Sequence, residues 1–206
     1  MNVKIAFVFI ISYLLGSIST GVLLSRFLAK RDIRKEGSGN SGTTNMLRVY
    51  GRKMGALTLG GDMLKGIVAV LIGFAVIGGA RGGILGTLGA VLGHNFPCFF
   101  GFKGGKGIAT SFGCLLIVFP LQTLFAFAVF LVVFFITHYV SAGSICAAVA
   151  LPLAILITVP FDAIIWISAI VLGALAIARH TPNIKRLLAG KENKIDFAVF
   201  KGKKKA

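Results

Sequence analysis

Four polar stretches stand out in this chain, and each has the composition of an anion site. The longest is Gly37-Ser38-Gly39-Asn40-Ser41-Gly42-Thr43-Thr44-Asn45, with Lys30, Arg31, Arg34 and Lys35 before it and Arg48, Arg52 and Lys53 after it. Glycine admits the φ > 0 geometry that turns successive amides toward one point, and phosphate is the natural guest of such a nest. The second is Lys103-Gly104-Gly105-Lys106-Gly107, with Thr110 and Ser111 in the helical turn that follows. The third is Ser141-Ala142-Gly143-Ser144, where either serine can cap a helix N-terminus. The fourth, His180-Thr181-Pro182-Asn183-Ile184-Lys185-Arg186, surrounds a histidine with further donors.

Several chemistries are disfavoured by spacing. Lys103 to Gly107 is not a nucleotide P-loop, because Gly107 follows Lys106 where Ser or Thr belongs and Phe100 stands where glycine is required. No Gly-x-Ser-x-Gly occurs, and the positions five beyond His94, His138 and His180 are Phe99, Gly143 and Lys185 rather than acids. A protein nucleophile activated by a histidine–acid couple is therefore not expected. Cys98, Cys114 and Cys146 lack metal-ligand spacing, so no metal or cofactor is expected. Asp62 and Lys65, three apart on an apolar run, read as a mutual ion pair, with Asp62 alternatively the N-cap of its helix.

These stretches must be held by helices in a membrane. Of 206 residues 56% are hydrophobic and 14% charged, and the net charge is +16. A soluble protein so basic suggests nucleic acid, but here the sequence between charges is hydrocarbon, so the better reading is a membrane protein with basic cytoplasmic loops and no nucleic-acid partner. The apolar runs predict an all-α membrane protein of about seven short spans in one domain, 1–206. These run from about Val3 to Phe27, Gly61 to Ala80, Gly82 to Pro97, two between Gly107 and Thr137 with a turn at Pro120, Gly143 to Val159, and Ala163 to Arg179. The first run is too long for a leader peptide. Cytoplasmic loops are expected at about 28–60, 98–107 and 138–143, with a tail at 180–206. With the amino terminus outside, nineteen Lys and Arg fall inside against Lys4 and Arg81 outside, with Lys65 in a span. That orientation puts all four polar stretches on one face. Gly82, Gly86, Gly89, Ala90 and Gly93 form a small-residue stripe for close helix packing.

Gly-Ser-Gly-Asn-x-Gly-x-Thr-Asn at 37–45, Lys-Gly-Gly-Lys-Gly at 103–107 and His-x-x-Asn-Ile-x-Arg-Leu-x-x-Gly-x-Glu at 180–192 resemble the three motifs of the bacterial acyl-phosphate-dependent glycerol-3-phosphate acyltransferases. Asp62-x-x-Lys65-Gly66, Gly93-His94 with Phe96-Pro97, and Ser141-x-Gly143-Ser144 fit the same family. The resemblance implies a multi-pass protein of the bacterial inner membrane. It would move a fatty acyl group from acyl phosphate to the 1-hydroxyl of glycerol 3-phosphate, giving lysophosphatidic acid and phosphate, with membrane lipids as surroundings. By motif position, Ser38, Gly39, Asn40, Gly42, Thr43, Thr44 and Asn45 would cradle the acyl phosphate. Arg48, Lys103, Lys106, Ser141, Ser144, His180 and Asn183 would hold glycerol 3-phosphate, with Lys106, His180 and Asn183 nearest the chemistry. The rival class is a transporter or flippase for phosphorylated solutes or lipids. It shares spans and basic pockets but should line both faces and show inverted repeats, and none is visible.

Overall fold

The computed structural model describes residues 2–195, and every regular element among them is helical. The order is α1 (Asn2–Gly16), α2 (Thr20–Leu28), α3 (Thr43–Tyr50), α4 (Arg52–Val76), α5 (Gly79–Asn95), α6 (Ile108–Val118), α7 (Pro120–Thr137), α8 (Val140–Thr158), α9 (Ala163–Arg179) and α10 (Thr181–Leu188), with short 3-10 turns at Ile33–Lys35 and Cys98–Phe100. Among the described residues five segments are long and apolar enough to cross a membrane: Val3–Leu28, Arg52–Val76, Gly79–Phe100, Pro120–Thr137 and Val140–Thr158. A sixth arises if α9 and α10, bent by 53° at His180, count as one. The helix α6 has only 11 residues.

Local chemistry sets the boundaries. Pro120 sits in the first turn of α7, where its missing N–H costs nothing, after Phe119 has left helical geometry. The Asp162 carboxylate caps α9 by accepting from the amides of Ile164 and Ile165. Between α1 and α2 the first span breaks at Ser17–Ser19, and the Ile18 carbonyl accepts instead from Lys65 Nζ at 2.8 Å. Within lipid, packing depends on close backbone approach rather than on apolar burial, and the small-residue stripe of α5 supplies it. A methyl on Gly16 would sit 2.1 Å from the Ala90 carbonyl oxygen, and one on Gly73 would sit 2.0 Å from that of Gly82. Around this seam lies a core of Ala69, Val70, Ile84, Val91, Leu115, Ile155 and Leu172, while Leu121, Phe125, Ile136 and Ile157 face outward.

The loops gather by charge. Arg34 reaches the carbonyl of Phe100, Arg179 those of Gly104 and Gly105, and Ser141 the Glu192 carboxylate, so segments 28–50, 98–107, 138–144 and 179–195 meet at one end. Lys4, Arg81 and Asp162 lie together at the other end, where Arg81 and Asp162 form an ion pair.

Several boundaries differ from the sequence expectation. The helix α4 starts at Arg52 instead of near Gly61, so Asp62 is well inside it and is not its N-cap. The reason is that Gly51, at φ 83°, already turns the chain between α3 and α4. The helix α8 starts at Val140 after Tyr139, so Ser141 and Ser144 are helical residues rather than caps. Thr181–Leu188 is helical, and the basic tail from Lys201 lies outside the described residues.

Candidate active site

A cavity of about 450 Å³ opens where the four polar stretches meet and continues into the bundle. Its polar wall includes Ser38, Asn40, Thr43, Thr44, Lys106 and Asn183; its apolar wall includes Met63, Phe112, Leu115, Ala126, Phe127 and Leu151. Leu151 lies three helical turns beyond Val140, about 16 Å into the bundle at 1.5 Å per residue. The short α6 sets the level of the loop at 103–107. The Phe112 and Phe127 rings meet in a tilted contact, centroids 5.1 Å apart, on either side of the Phe119 turn, so Gly107 lies level with the interior of α7, below its end at Thr137.

The loop at 37–45 is organised by one side chain. Asn45 is 2% exposed; its Oδ1 accepts from the Ser38 amide at 2.9 Å, and its Nδ2 donates to the carbonyls of Glu36 and Asn40, each at 2.9 Å. Gly37, at φ 57°, lies so close that a methyl there would be 2.3 Å from Asn45 Oδ1. The Gly39 amide donates to the Glu36 carbonyl, and that of Gly42 to Asn40 Oδ1, so both are already bonded within the loop. The first amides of α3, at Thr43 and Thr44, have no partner within their helix and sit on the cavity wall.

Opposite stands a cationic cluster. The Lys106 ammonium donates to Asn183 Oδ1, and Asn183 Nδ2 donates to Glu192 Oε1 at 2.7 Å. Glu192 also accepts from Ser141 Oγ at 2.9 Å and from Arg186 Nε at 2.6 Å. Burial draws Lys106 down to about 8, opposed by the charge of Glu192 and reinforced by Arg186, Arg179 and Arg48. Burial works to raise the Glu192 carboxyl, yet the hydrogen bonds from Arg186, Asn183 and Ser141 outweigh it and hold the group below its ordinary value. His180, 2% exposed, bonds through Nδ1 to the Ala176 carbonyl at 2.7 Å. A carbonyl only accepts, so Nδ1 carries the proton and a neutral ring leaves Nε2 as an acceptor.

Of the residues singled out in the sequence, Ser38, Asn40, Gly42, Thr43, Thr44, Asn45, Arg48, Lys106, Ser141, Ser144, His180 and Asn183 line this cavity. Ser144 turns its hydroxyl back to the Val140 carbonyl. Gly39 and Lys103 are exposed and outside the lining. Arg186 was named only among the donors around His180, and Glu192 only as the last residue of the 180–192 motif; neither was assigned a place in the site. The signal available was a carboxylate set among Lys185, Arg186, Lys191 and Lys194, where charge balance invites a buried partner. Below the loop, Lys65 Nζ stands 2.9 Å from Asp62 Oδ1, the expected pair, and 3.0 Å from His94 Nδ1, a contact that helical spacing does not reveal.

The profile of the glycerol-3-phosphate acyltransferase family matches residues 6–190. The glycerol-3-phosphate acyltransferase of Syntrophotalea carbinolica is 46% identical over 185 residues, covering 89% of this chain and 93% of that protein. That of Thermoanaerobacter pseudethanolicus is 45% identical over 192 residues, covering 90% and 93%. In three dimensions the chain is similar to the glycerol 3-phosphate form of PlsY, an integral membrane glycerol 3-phosphate acyltransferase. The TM-score is 0.89 at 40% identity, covering 97% of this chain and 99% of that one. The lysophosphatidic acid form of PlsY gives 0.84, also at 40% identity, covering 95% and 98%. This chain belongs to the glycerol-3-phosphate acyltransferase family.

Proposed function

We propose that the acyl donor is an acyl phosphate and that its fatty acyl group passes directly to the 1-hydroxyl of glycerol 3-phosphate. The single observation behind this reading is that one cavity joins phosphate-sized donors at its polar wall to an apolar channel within the helices. A donor with a charged head and a long chain fits such a space, and the water-soluble acceptor enters at the polar end. Acyl phosphate is a mixed anhydride, so no covalent enzyme intermediate is required.

In the proposed step the hydroxyl oxygen of glycerol 3-phosphate attacks the acyl carbon, and the bond from that carbon to the phosphate oxygen breaks. The hydroxyl proton passes to a phosphoryl oxygen of the donor, whose second pKa is about 6. The leaving phosphate takes the bonding electrons. The amides at the start of α3, with Ser38, Asn40 and Thr44, hold the donor head. Lys106, Arg48, His180 and Asn183 hold glycerol 3-phosphate, and Lys106 screens the charge that develops between two dianions. His180 Nε2 accepts a substrate hydroxyl. Glu192, with Ser141 and Arg186, orients Asn183.

The basic ends of the loops favour a bacterial inner-membrane protein of seven crossings. Its amino terminus is outside and its site faces the cytoplasm. The decisive experiment incubates purified protein with acyl phosphate and glycerol 3-phosphate. Stoichiometric phosphate and lysophosphatidic acid are expected, with no product from acyl-CoA or acyl carrier protein. Product from a thioester alone overturns the donor assignment. Accumulation of labelled glycerol 3-phosphate inside liposomes without product would replace catalysis by transport.

A further inference from the structure

Beneath Gly104 and Gly105 lies a histidine to which the proposed reaction gives no part. His94 closes α5 and is 5% exposed. Its Nδ1 is 3.0 Å from the Lys65 ammonium and 3.2 Å from Thr110 Oγ1. An ammonium only donates, so Nδ1 accepts and the ring carries its proton on Nε2. Lys65 is fixed in turn by the Ile18 carbonyl at 2.8 Å and by Asp62 at 2.9 Å. The ring is thus set by α4, α6 and the break between α1 and α2.

Gly105 rests on the other edge of that ring. A methyl on Gly105 would stand 2.1 Å from His94 Nε2, and one on Gly104 would stand 2.0 Å from the His94 carbonyl oxygen. The same carbonyl accepts from the Gly105 amide at 3.1 Å. The Arg179 guanidinium donates to the carbonyls of Gly104 and Gly105, each at 3.1 Å, and its carbon lies 5.2 Å from the Phe96 ring centre. The glycine pair is held between His94 and Arg179, and Lys106 is the next residue.

We propose that His94 is a positioning residue for Lys106. The Nε2 edge, set by Lys65, fixes the seat of the glycine pair, and that seat places the Lys106 ammonium against Asn183 and the cavity. The inference rests on reading Lys106 as the cation of the reaction. It goes beyond that reading by assigning the Asp62–Lys65–His94 cluster to geometry at the site rather than to bundle stability alone.

A double-mutant cycle between Gly105→Ala and His94→Asn tests this. Asparagine keeps an acceptor for Lys65 near the place of Nδ1 but vacates the Nε2 edge. Turnover and KM for glycerol 3-phosphate are measured beside equilibrium binding of labelled glycerol 3-phosphate and the unfolding midpoint. In the native background Gly105→Ala is expected to cost about 30-fold in kcat/KM, and in His94→Asn about threefold, a tenfold coupling typical of residues in direct contact. His94→Gln, which returns an N–H near the place of Nε2, should recover activity relative to His94→Asn at a similar midpoint. A cycle run in parallel with His94→Ala supplies a second vacated background if one variant does not fold. Equal cost of Gly105→Ala in native and vacated backgrounds, or equal activity of the Gln and Asn variants, overturns the proposal. Should native protein make no product from acyl phosphate, the donor assignment fails by itself, and the cycle read in binding still decides the role of His94.

Discussion

Lys106 and Asn183, 77 positions apart, are joined by a hydrogen bond from the ammonium to the amide oxygen. The bond ties the loop before α6 to the first turn of α10. Because Asn183 spends its amide hydrogens on Glu192, its oxygen is presented to Lys106 in a fixed direction. A cation on a flexible stem thus acquires an address, which charge stabilisation in a transition state requires.

The alkaline limb of activity should follow Lys106. Burial draws this group from 10.5 to about 8, so it is charged below that pH and neutral above it. Turnover is expected to decline as pH rises through about 8. Between there and 10.5 the unfolded chain binds a proton that the folded one does not. The burial penalty of this group therefore fades as pH rises across that window, so stability does not fall there and unfolding does not cause the decline. Lys106→Arg, with a group charged throughout the accessible range, should remove the limb. A limb unchanged in Lys106→Arg would assign it elsewhere. Lys106→Met should lose about 100-fold or more in kcat, as for loss of one preorganised donor.

Replacing Glu192 by Gln keeps the shape and removes the charge on which Ser141, Asn183 and Arg186 converge. Hydrogen bonds to charged groups contribute about 1.5–3 kcal/mol, so KM for glycerol 3-phosphate should rise at least about tenfold. Steady-state kinetics check this; an unchanged KM would remove Glu192 from the site.

Asn45→Ala leaves the Ser38 amide and the carbonyls of Glu36 and Asn40 without their partner. A cost of about 1–3 kcal/mol in local loop stability is expected. Hydrogen exchange over 36–45 should quicken while the amides of α5 and α8 keep their protection. Gly37→Ala should act alike, through both its positive φ and the contact with Asn45. Unaltered exchange in both variants would mean that the loop is held by something else.

Asp62→Asn alone leaves Lys65 buried without its carboxylate, and loss of one partner of a buried pair costs about 3–5 kcal/mol. Asp62→Asn combined with Lys65→Met removes both charges and should recover much of that loss. Thermal unfolding in detergent compares the two. A double variant no more stable than the single one would contradict a mutual pair.

The sequence made legible what one-dimensional patterns encode. The excess of Lys and Arg in alternate loops indicated which segments gather, and Gly37–Asn45 showed itself as a cavity wall by its lack of anything to bury. Pro120 marked the α6–α7 turn because its chemistry is local. Contacts between distant helices left no trace of that kind. Glu192 was visible only as a motif position among bases, and His94 only as a motif histidine near a helix end, neither with its contacts. What binds each depends on the angle at which α4, α5, α8 and α10 meet, and periodicity does not report angles. The onset of α4 at Arg52 escaped for a simpler reason. The helix opens on Arg52 and Lys53 and carries Gly55, Gly60 and Gly61, which weaken the helical signal, and only the turn at Gly51 shows that it has begun.

The brevity of α6 has a consequence for the meeting of reactants of opposite solubility. At about 1.5 Å per residue the helix is about 16 Å long, roughly half the hydrocarbon thickness. On the seven-crossing reading proposed above, the loop before it is lowered into the slab rather than displayed at the rim. A greasy chain can stay in its own solvent while its reactive head reaches the basic pit. A polar acceptor descends only a short way to meet it, and neither partner has to leave its own phase for the bond to form.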